Sequence, residues 1–254
     1  MPVTRAQFDR QYRALVEDRE FVEYRDYYKR SIGRFWKAFD KIQHLNLPLH
    51  CRAIDIGGGI MAVLLSRILG IDACVGDVND RPAGDISDLG IKFQLIDLTT
   101  DNVLPRERFD LVILQEVIEH LPQPPYITFQ RIMKFLTPDG ILFFTTPNGS
   151  RVRNILYMLT GRAVLDNFRY PGPGEVLGHQ QEYLLPQLKW QLERAGMAPI
   201  IAEQYDDGWQ GATIAARTGH LLARSANLFP HLRNGLMVAA QPAAARANTL
   251  SPSW

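Results

Sequence analysis

The chain has 254 residues, of which 46% are hydrophobic and 22% charged, a composition typical of a folded protein rather than a disordered one. Its 28 basic and 27 acidic residues give a formal net charge of +1, which argues against a nucleic-acid-binding surface. The two cysteines, Cys51 and Cys74, form no CxxC pair, so neither a disulfide framework nor a thiolate zinc site is indicated.

Residues 1–48 are predicted to form a helical cap. Apolar and aromatic residues recur there at spacings of three or four, as on one face of an amphipathic helix. They are Phe21, Tyr24, Tyr28, Ile32, Phe35 and Phe39. This face packs either as ordinary core or as a lid over a substrate. The N-terminus has no long apolar core and no apolar run reaches transmembrane length, so we expect a cytoplasmic protein without a signal peptide or membrane span.

Residues 49–240 are predicted to form one α/β domain with a doubly wound, mainly parallel, seven-stranded sheet. Short apolar runs alternate there with helical stretches, as in repeated βα units. The predicted strands are 53–56, 73–76, 93–96, 111–114, 141–145, 198–202 and 236–240. The predicted helices are 61–69, 126–136, 186–195 and 213–228, and the turn formers Thr137–Gly140 stop the second of them.

Two segments interrupt or follow this domain. Residues 150–178 are predicted to be an insertion on the acceptor side, since they follow the fifth strand, and Tyr170-Pro171-Gly172-Pro173-Gly174, rich in turn formers, indicates a surface segment. Residues 241–254 are predicted to be a disordered tail.

A glycine loop follows the first predicted strand. Gly57-x-Gly59-x-x-Ala62, with Asp77 as a later acid, satisfies the dinucleotide-binding fingerprint and would suit a Rossmann-type NAD-dependent oxidoreductase. Asp55 points into the same loop, where its charge would repel a pyrophosphate and attract an ammonium group. We therefore expect a ligand that carries positive charge.

These residues resemble the class I S-adenosylmethionine-dependent methyltransferases, whose first motif is D-x-G-x-G-x-G. Met61 stands here in place of the third glycine, and Phe109-Asp110-Leu111-Val112 matches the start of the family's fourth strand. The resemblance implies that Asp77 holds the ribose hydroxyls and that Asp97 accepts from the adenine amino group. The implied contacts to S-adenosylmethionine are Asp55, Gly57, Gly59, Asp77, Asp97, Leu98 and Gln115. Each acid also has a structural alternative: Asp55 as a loop cap, Asp77 as a turn residue, Asp97 as the start of an Asx turn.

The segment Gln115-Glu116-Val117-Ile118-Glu119-His120 crowds two carboxylates and an imidazole at the end of the fourth strand. On a helix, Glu116, Glu119 and His120 would project from one face at positions i, i+3 and i+4. Two adjacent carboxylates require a compensating positive group, which a divalent cation would supply. The alternative is that these residues only brace the loop through hydrogen bonds.

The pattern E-x-x-E-H, joined to His179 in Gly178-His179-Gln180-Gln181-Glu182-Tyr183, resembles the magnesium site of small-RNA 3′-terminal 2′-O-methyltransferases. E-x-x-E-H also occurs in ubiquinone-biosynthesis O-methyltransferases. The resemblance implies the metal ligands Glu116, Glu119, His120 and His179, for Mg²⁺, Mn²⁺ or another divalent ion. Without a metal, His120 or His179 becomes the general base for a hydroxyl acceptor. The predicted catalytic residues are His120, His179 and Glu116.

The acceptor is predicted to be a hydroxyl of a small molecule: a natural product, a sugar or a lipid-linked glycan. Thr146-Pro147-Asn148 and His179-x-x-Glu182-Tyr183 resemble methyltransferases that act on such hydroxyls, and Arg169 and Tyr170 are candidates for a lid. An RNA 2′-O-methyltransferase is the weaker alternative because no basic stripe is present. A non-catalytic S-adenosylmethionine-binding subunit and a homodimer are both left open.

Overall fold

Seven strands form one sheet at the centre of the protein. The computed structural model describes residues 2–17, 19, 21, 25–80, 83–165, 178–206 and 228–243. In chain order the strands are β1 (Arg52–Ile56), β2 (Asp72–Asp77), β3 (Lys92–Leu95), β4 (Phe109–Gln115), β5 (Leu136–Pro147), β6 (Met197–Tyr205) and β7 (Gly235–Pro242). Their order across the sheet is β3-β2-β1-β4-β5-β7-β6, and β7 runs antiparallel to both β5 and β6. The predicted doubly wound, mainly parallel fold is therefore confirmed.

Seven α-helices are described. They are α1 (Arg5–Tyr12), α2 (Arg25–Gln43), α3 (Ile60–Leu64), α4 (Ala83–Asp88), α5 (Pro125–Met133), α6 (Val152–Leu159) and α7 (Leu185–Ala195). α1 and α3 continue as π-helical segments, Arg13–Glu17 and Leu65–Leu69. α7 ends at Gly196, whose left-handed φ of 84° closes the last turn.

The helices cover both faces of the sheet, and successive strand residues alternate between two apolar clusters. In β4, Leu111 and Ile113 join the cluster under the N-terminal helices and α3, whereas Val112 and Leu114 join the cluster under α5 and α7. Of the aromatic residues predicted for the cap, the four whose side chains are described, Phe21, Tyr28, Phe35 and Phe39, are buried in the first cluster. They therefore pack as core, which is one of the two predicted alternatives.

The helix predicted over 126–136 ends three residues too late. α5 ends at Met133, and Leu136 begins β5, where it pairs with Phe109. The predicted turn formers Thr137–Gly140 lie in β5, where its pairing with β4 shifts register between Phe109 and Leu111. Pro138 and Asp139 are exposed there. The irregular strand accommodates residues whose composition predicts a turn.

Other predicted boundaries agree with the structure only in part. β7 extends to Pro242, so Gln241 and Pro242 belong to the sheet rather than to a tail, and α6 lies in the first part of the 150–178 segment. Tyr24, Arg169, Tyr170 and residues 213–227 lie outside the described residues. Among the helices that the structure describes, none has the length and apolar character needed to cross a bilayer.

Candidate active site at the carboxyl edge of the sheet

The glycine loop between β1 and α3 depends on backbone angles that other residues rarely adopt. Gly57, Gly58 and Gly59 have φ values of 93°, 107° and 80°. A Cβ atom on Gly59 would lie 2.6 Å from a methyl group of Val75, whereas one on Gly58 would meet no atom within 4 Å. The loop therefore brings bare backbone to the sheet edge beside open space. Met61, which replaces the family's third glycine, is fully buried in the apolar core.

Asp55 lies beneath this loop and caps α3. Its Oδ2 accepts hydrogen bonds from the backbone N–H groups of Met61 at 2.8 Å and Ala62 at 3.2 Å. Burial raises the pKa of the Asp55 carboxyl to about 7 in spite of these two hydrogen bonds. The structure thus gives Asp55 the loop-capping role considered as an alternative, and contact with a ligand's ammonium group stays a prediction.

Asp77 joins the end of β2 to the glycine loop. Its Oδ2 accepts from the backbone N–H of Gly58 at 3.3 Å, and its Oδ1 accepts from that of Asn79 at 3.2 Å. Burial raises the pKa of Asp77, and the backbone hydrogen bonds oppose that shift. A carboxylate has about four lone-pair sites, so these contacts leave Asp77 able to accept from a diol.

Asp97 forms the Asx turn considered as its alternative. Its Oδ1 accepts from the backbone N–H of Thr99 at 2.8 Å and from the Thr99 hydroxyl at 2.7 Å. The side chain of Leu98 is buried, and the Leu98 carbonyl accepts from Gln123 and Arg131. Contacts of Asp97 and Leu98 with an adenine ring stay predictions.

Buried polar atoms without a hydrogen-bond partner gather at this edge of the sheet. Within the described residues they are Arg34 Nε, Asp55 Oδ1, Glu119 Oε1 and both amide atoms of Gln115. Asp55 and Gln115 lie at the ends of the neighbouring strands β1 and β4. An unpaired buried polar atom costs roughly 1–3 kcal/mol, so this concentration indicates a site built for a polar ligand.

The segment after β4 is not an α-helix, and the predicted common face of Glu116, Glu119 and His120 is wrong. Glu116 has a left-handed φ of 54°, which turns the chain, and a single 3₁₀ turn then spans Ile118–His120. Glu116 accepts from the Thr145 hydroxyl at 2.9 Å, and its Oε2 lies 3.3 Å from Nη1 of Arg34 on α2. Its carboxylate therefore binds the N-terminal cap to the sheet edge.

Glu119, His120 and His179 form a group that could hold a metal ion. One donor atom from each lies within 4.8 Å of the others, and the two imidazole rings meet edge to face with centroids 4.7 Å apart. Glu119 is fully buried, its Oε2 accepts from the Thr146 hydroxyl at 2.9 Å, and its Oε1 lies 4.0 Å from His120 Nε2. Burial, followed by the charge of Glu116, raises the pKa of Glu119 well above its usual range. The predicted fourth ligand, Glu116, is not in this group because its backbone turns it toward Arg34.

Glu182, which was not predicted as a site residue, contacts the imidazole of His179. Its Oε1 lies 3.5 Å from His179 Nδ1, its Oε2 accepts from Asn154 at 2.6 Å, and Arg151 and Arg153 pair with the same carboxylate. Burial would raise the pKa of Glu182, but the hydrogen bonds from His179 and Asn154 and the charges of Arg151 and Arg153 together outweigh burial and lower it. The H-x-x-E spacing is visible in the sequence, whereas nothing local signals the long-range contact of Arg34 with Glu116.

Asn148, which directly follows β5, holds neighbouring backbone segments together. Its amide group donates to the carbonyls of His231 at 2.9 Å and Arg233 at 2.7 Å, and its oxygen accepts from the Ser150 N–H at 3.2 Å. It also bridges to Tyr183, whose pKa rises to about 12 through burial and the charge of Glu119. Asn148 therefore shapes the site by fixing three chain segments.

Comparison with known proteins assigns the chain to a family. A family model described as a methyltransferase domain matches residues 21–201. The chain is 30% identical over 114 residues to a ubiquinone biosynthesis O-methyltransferase of Bradyrhizobium diazoefficiens, covering 42% of this chain and 44% of that protein. It is 24% identical over 143 residues to the protein of the same name from Colwellia psychrerythraea, covering 51% and 58%. The chain thus spans about half the length of the curated relatives it matches.

Solved structures agree on the fold at low identity. An S-adenosylmethionine-dependent methyltransferase from Clostridium acetobutylicum superposes with a TM-score of 0.55 at 11% identity, covering 93% of this chain and 98% of that one. One from Archaeoglobus fulgidus gives a TM-score of 0.54 at 16% identity, covering 87% and 96%. These likenesses concern the fold.

Proposed function

The chain belongs to the class I S-adenosylmethionine-dependent methyltransferases, and from that premise we propose that it methylates a hydroxyl of a small molecule with the help of a divalent cation. The single observation that carries this proposal is the convergence of Glu119, His120 and His179 at the sheet edge that also bears the glycine loop. The names of the curated relatives support an oxygen atom as the methyl acceptor.

The residues at the ends of β1, β2 and β4 fit S-adenosylmethionine. Gly58 leaves space for a ligand, Asp77 offers a carboxylate to a ribose, and Gln115 presents an amide with both polar atoms unpaired. When bound, this cofactor supplies a methyl group activated by its sulfonium. We propose that Gly57, Gly59 and Asp55 shape the loop, and that Asp77 and Gln115 provide the direct polar contacts.

The donor set of Glu119, His120 and His179 fits a divalent transition metal. One carboxylate and two imidazoles suit Mn²⁺, Fe²⁺, Co²⁺ or Zn²⁺ at least as well as Mg²⁺, which prefers oxygen ligands. Thr146 orients Glu119, and Glu182 orients His179, as supporting hydrogen bonds do in metal sites. When bound, the cation would act as a Lewis acid toward a hydroxyl and lower its pKa.

The protein's own residues then provide positioning and exclusion of water. A methyl transfer requires in-line approach of the acceptor oxygen, so most of the catalytic effect comes from holding the acceptor in place. The Arg34–Glu116 ion pair lies on the side of the cap, and buried Tyr183 lies close enough to Glu119 for its pKa to be raised by that charge. If the group binds no metal, His120 or His179 takes the hydroxyl proton.

Two alternative reactions are less well supported. A dinucleotide cofactor would place its pyrophosphate at the N-terminus of α3. There the Asp55 carboxylate already accepts hydrogen bonds from the backbone N–H groups of Met61 and Ala62. An RNA acceptor would call for a cluster of basic side chains, and the net charge of +1 offers no excess of them. A small hydroxyl acceptor fits both observations.

The proposal is tested by cofactor binding and by turnover. Calorimetry should show that S-adenosylhomocysteine binds and that NAD⁺ does not. Methyl transfer to a panel of catechols and sugar diols should be lost in EDTA and restored by Mn²⁺ or Mg²⁺. Absence of S-adenosylhomocysteine binding would refute the cofactor assignment. Activity that is unchanged by EDTA would refute the proposed role of a cation in the reaction.

A further inference from the structure

The helix α6 turns a polar side toward the protein and its apolar stripe outward. Apolar residues follow in it the spacing i, i+3, i+4 and i+7, which normally marks the core-facing stripe of a helix. They are Val152, Ile155, Leu156 and Leu159. The buried residue of α6, however, is the polar Asn154, and within the described residues no side chain of α6 joins either apolar cluster beside the sheet. The stripe therefore lies outside the hydrophobic core.

Polar contacts near the candidate site fix α6 in this orientation. Asn154 donates to the carbonyl of Gly149 at 2.9 Å and to Glu182 Oε2 at 2.6 Å. Arg151, which precedes the helix, and Arg153 pair with the same carboxylate. Because the polar side of the helix is held against the buried side chain of Glu182, the apolar stripe points away from it.

The second half of α6 exposes large apolar side chains. Leu156 is 45% exposed, Met158 60% and Leu159 78%. A single exposed leucine needs no explanation, but three such side chains within four residues mark a surface that contacts another body.

A second exposed apolar pair lies in a segment that is tied to the start of α6. Leu228 and Phe229 are both exposed, and they come shortly before His231. The His231 carbonyl accepts from the Ser150 hydroxyl and from the Asn148 amide. The two apolar segments are therefore joined where β5 leads into α6.

Positive charge borders this apolar surface. Residues 150–165 contain three arginines and no acidic residue. Glu182 supplies one negative charge to both Arg151 and Arg153, and Arg162 is exposed in the turn after the helix. The guanidinium carbons of Arg153 and Arg162 lie 5.4 and 5.9 Å from the ring centroid of Tyr157. An anionic partner therefore complements the surface.

We propose that α6, with Leu228 and Phe229 as a second contact, docks the protein onto a bilayer that carries anionic lipids. An amphipathic helix with basic residues beside its apolar stripe lies in the plane of such a surface, with its apolar side chains in the acyl region. A second copy of this chain fits less well, because two-fold symmetry would set the arginines of one copy against those of the other. The inference goes beyond the proposed function and does not depend on it.

Vesicle flotation of the full chain measures this docking without cofactor or turnover. We expect binding to vesicles of mixed phosphatidylcholine and phosphatidylglycerol, and at least about tenfold weaker binding to phosphatidylcholine alone. Leu159→Asp and Phe229→Asp should each weaken binding at least about tenfold, because a charge replaces an apolar group that enters the bilayer. Arg162→Gln should weaken it about fivefold. Leu49→Asp is the matched control, since Leu49 is 95% exposed and precedes β1 at the opposite edge of the sheet.

No binding to the mixed vesicles, equal binding to both kinds of vesicle, or equal binding by L159D and the unaltered chain would overturn the proposal. Thermal unfolding adds a further check, because a large loss of stability in L159D would mean that the stripe packs against the protein itself. Sedimentation velocity detects the competing partner: a dimer that L159D dissociates, without vesicle binding, would assign the surface to a second copy.

Failure of the proposed function has a different signature. It is measured by S-adenosylhomocysteine affinity and methyl transfer, neither of which enters the vesicle experiment. A chain that binds vesicles but not S-adenosylhomocysteine would keep the docking surface and lose the cofactor assignment.

Discussion

The imidazole of His179 meets that of His120 edge to face, with ring centroids 4.7 Å apart and planes at 86° to each other. The two residues come from different segments, one after β4 and the other before α7, and the carboxylate of buried Glu119 lies beside them. A carboxylate and two imidazoles at this spacing could hold one cation at the carboxyl edge of the sheet.

Metal affinity should separate the three grouped donors from Glu116. Mn²⁺ binding, measured by electron paramagnetic resonance, should weaken at least about 100-fold in E119Q and in H179A because each variant removes a ligand. E116Q should weaken it less than about tenfold, since Glu116 pairs with Arg34 outside the group. His44→Ala, at an exposed histidine, should change nothing. An equally large loss in E116Q would restore the four-ligand set implied by the sequence.

Glu182 should act on metal affinity through His179. E182A should weaken Mn²⁺ binding by about 10- to 100-fold because the imidazole loses its orienting partner. It should also lower the free energy of unfolding by about 3 kcal/mol, because Arg151 and Arg153 lose their common carboxylate. Asn154→Ala removes a different donor to Glu182 and should destabilise the fold without changing metal affinity. A metal affinity that falls equally in both variants would indicate a purely structural role.

Asp55 should make the ligand-free protein less stable as pH rises. Its pKa is raised by burial to about 7 from 3.8, so between these values the folded state binds more protons than the unfolded state. Stability is then highest at the acid end of this window and falls as pH approaches 7, by at most about 1.4 kcal/mol per pH unit for one proton. Urea unfolding of D55N from pH 5 to pH 7 should lack this component. A pH dependence identical to that of the unaltered chain would refute it.

Gly59 should tolerate a methyl group less well than Gly70. Both have left-handed φ values, but a Cβ on Gly59 would lie 2.6 Å from Val75, whereas one on Gly70 meets no atom within 4 Å. We expect G70A to cost about 1 kcal/mol from backbone strain alone. G59A should cost more and should weaken S-adenosylhomocysteine binding at least tenfold, because the loop must shift. Thermal unfolding and calorimetry measure the two effects, and equal behaviour of the variants would count against the close packing of this loop.

The positions of the strands could be predicted from the chain alone, because buried parallel strands require short apolar runs and each predicted run lies in or overlaps an observed strand. The glycine loop could be predicted for a similar reason, since few other residues adopt its backbone angles. Asp139 and its neighbours misled the prediction, because residues that favour turns also fit a strand where its register shifts.

The composition of the donor group depended on contacts between distant segments. The left-handed backbone of Glu116 turned one expected ligand toward Arg34, and packing of the segment before α7 brought His179 against His120. The residue types show which side chains can bind a cation. The direction of each side chain, however, depends on one backbone angle and on long-range packing. Neither of these leaves a local pattern in the sequence.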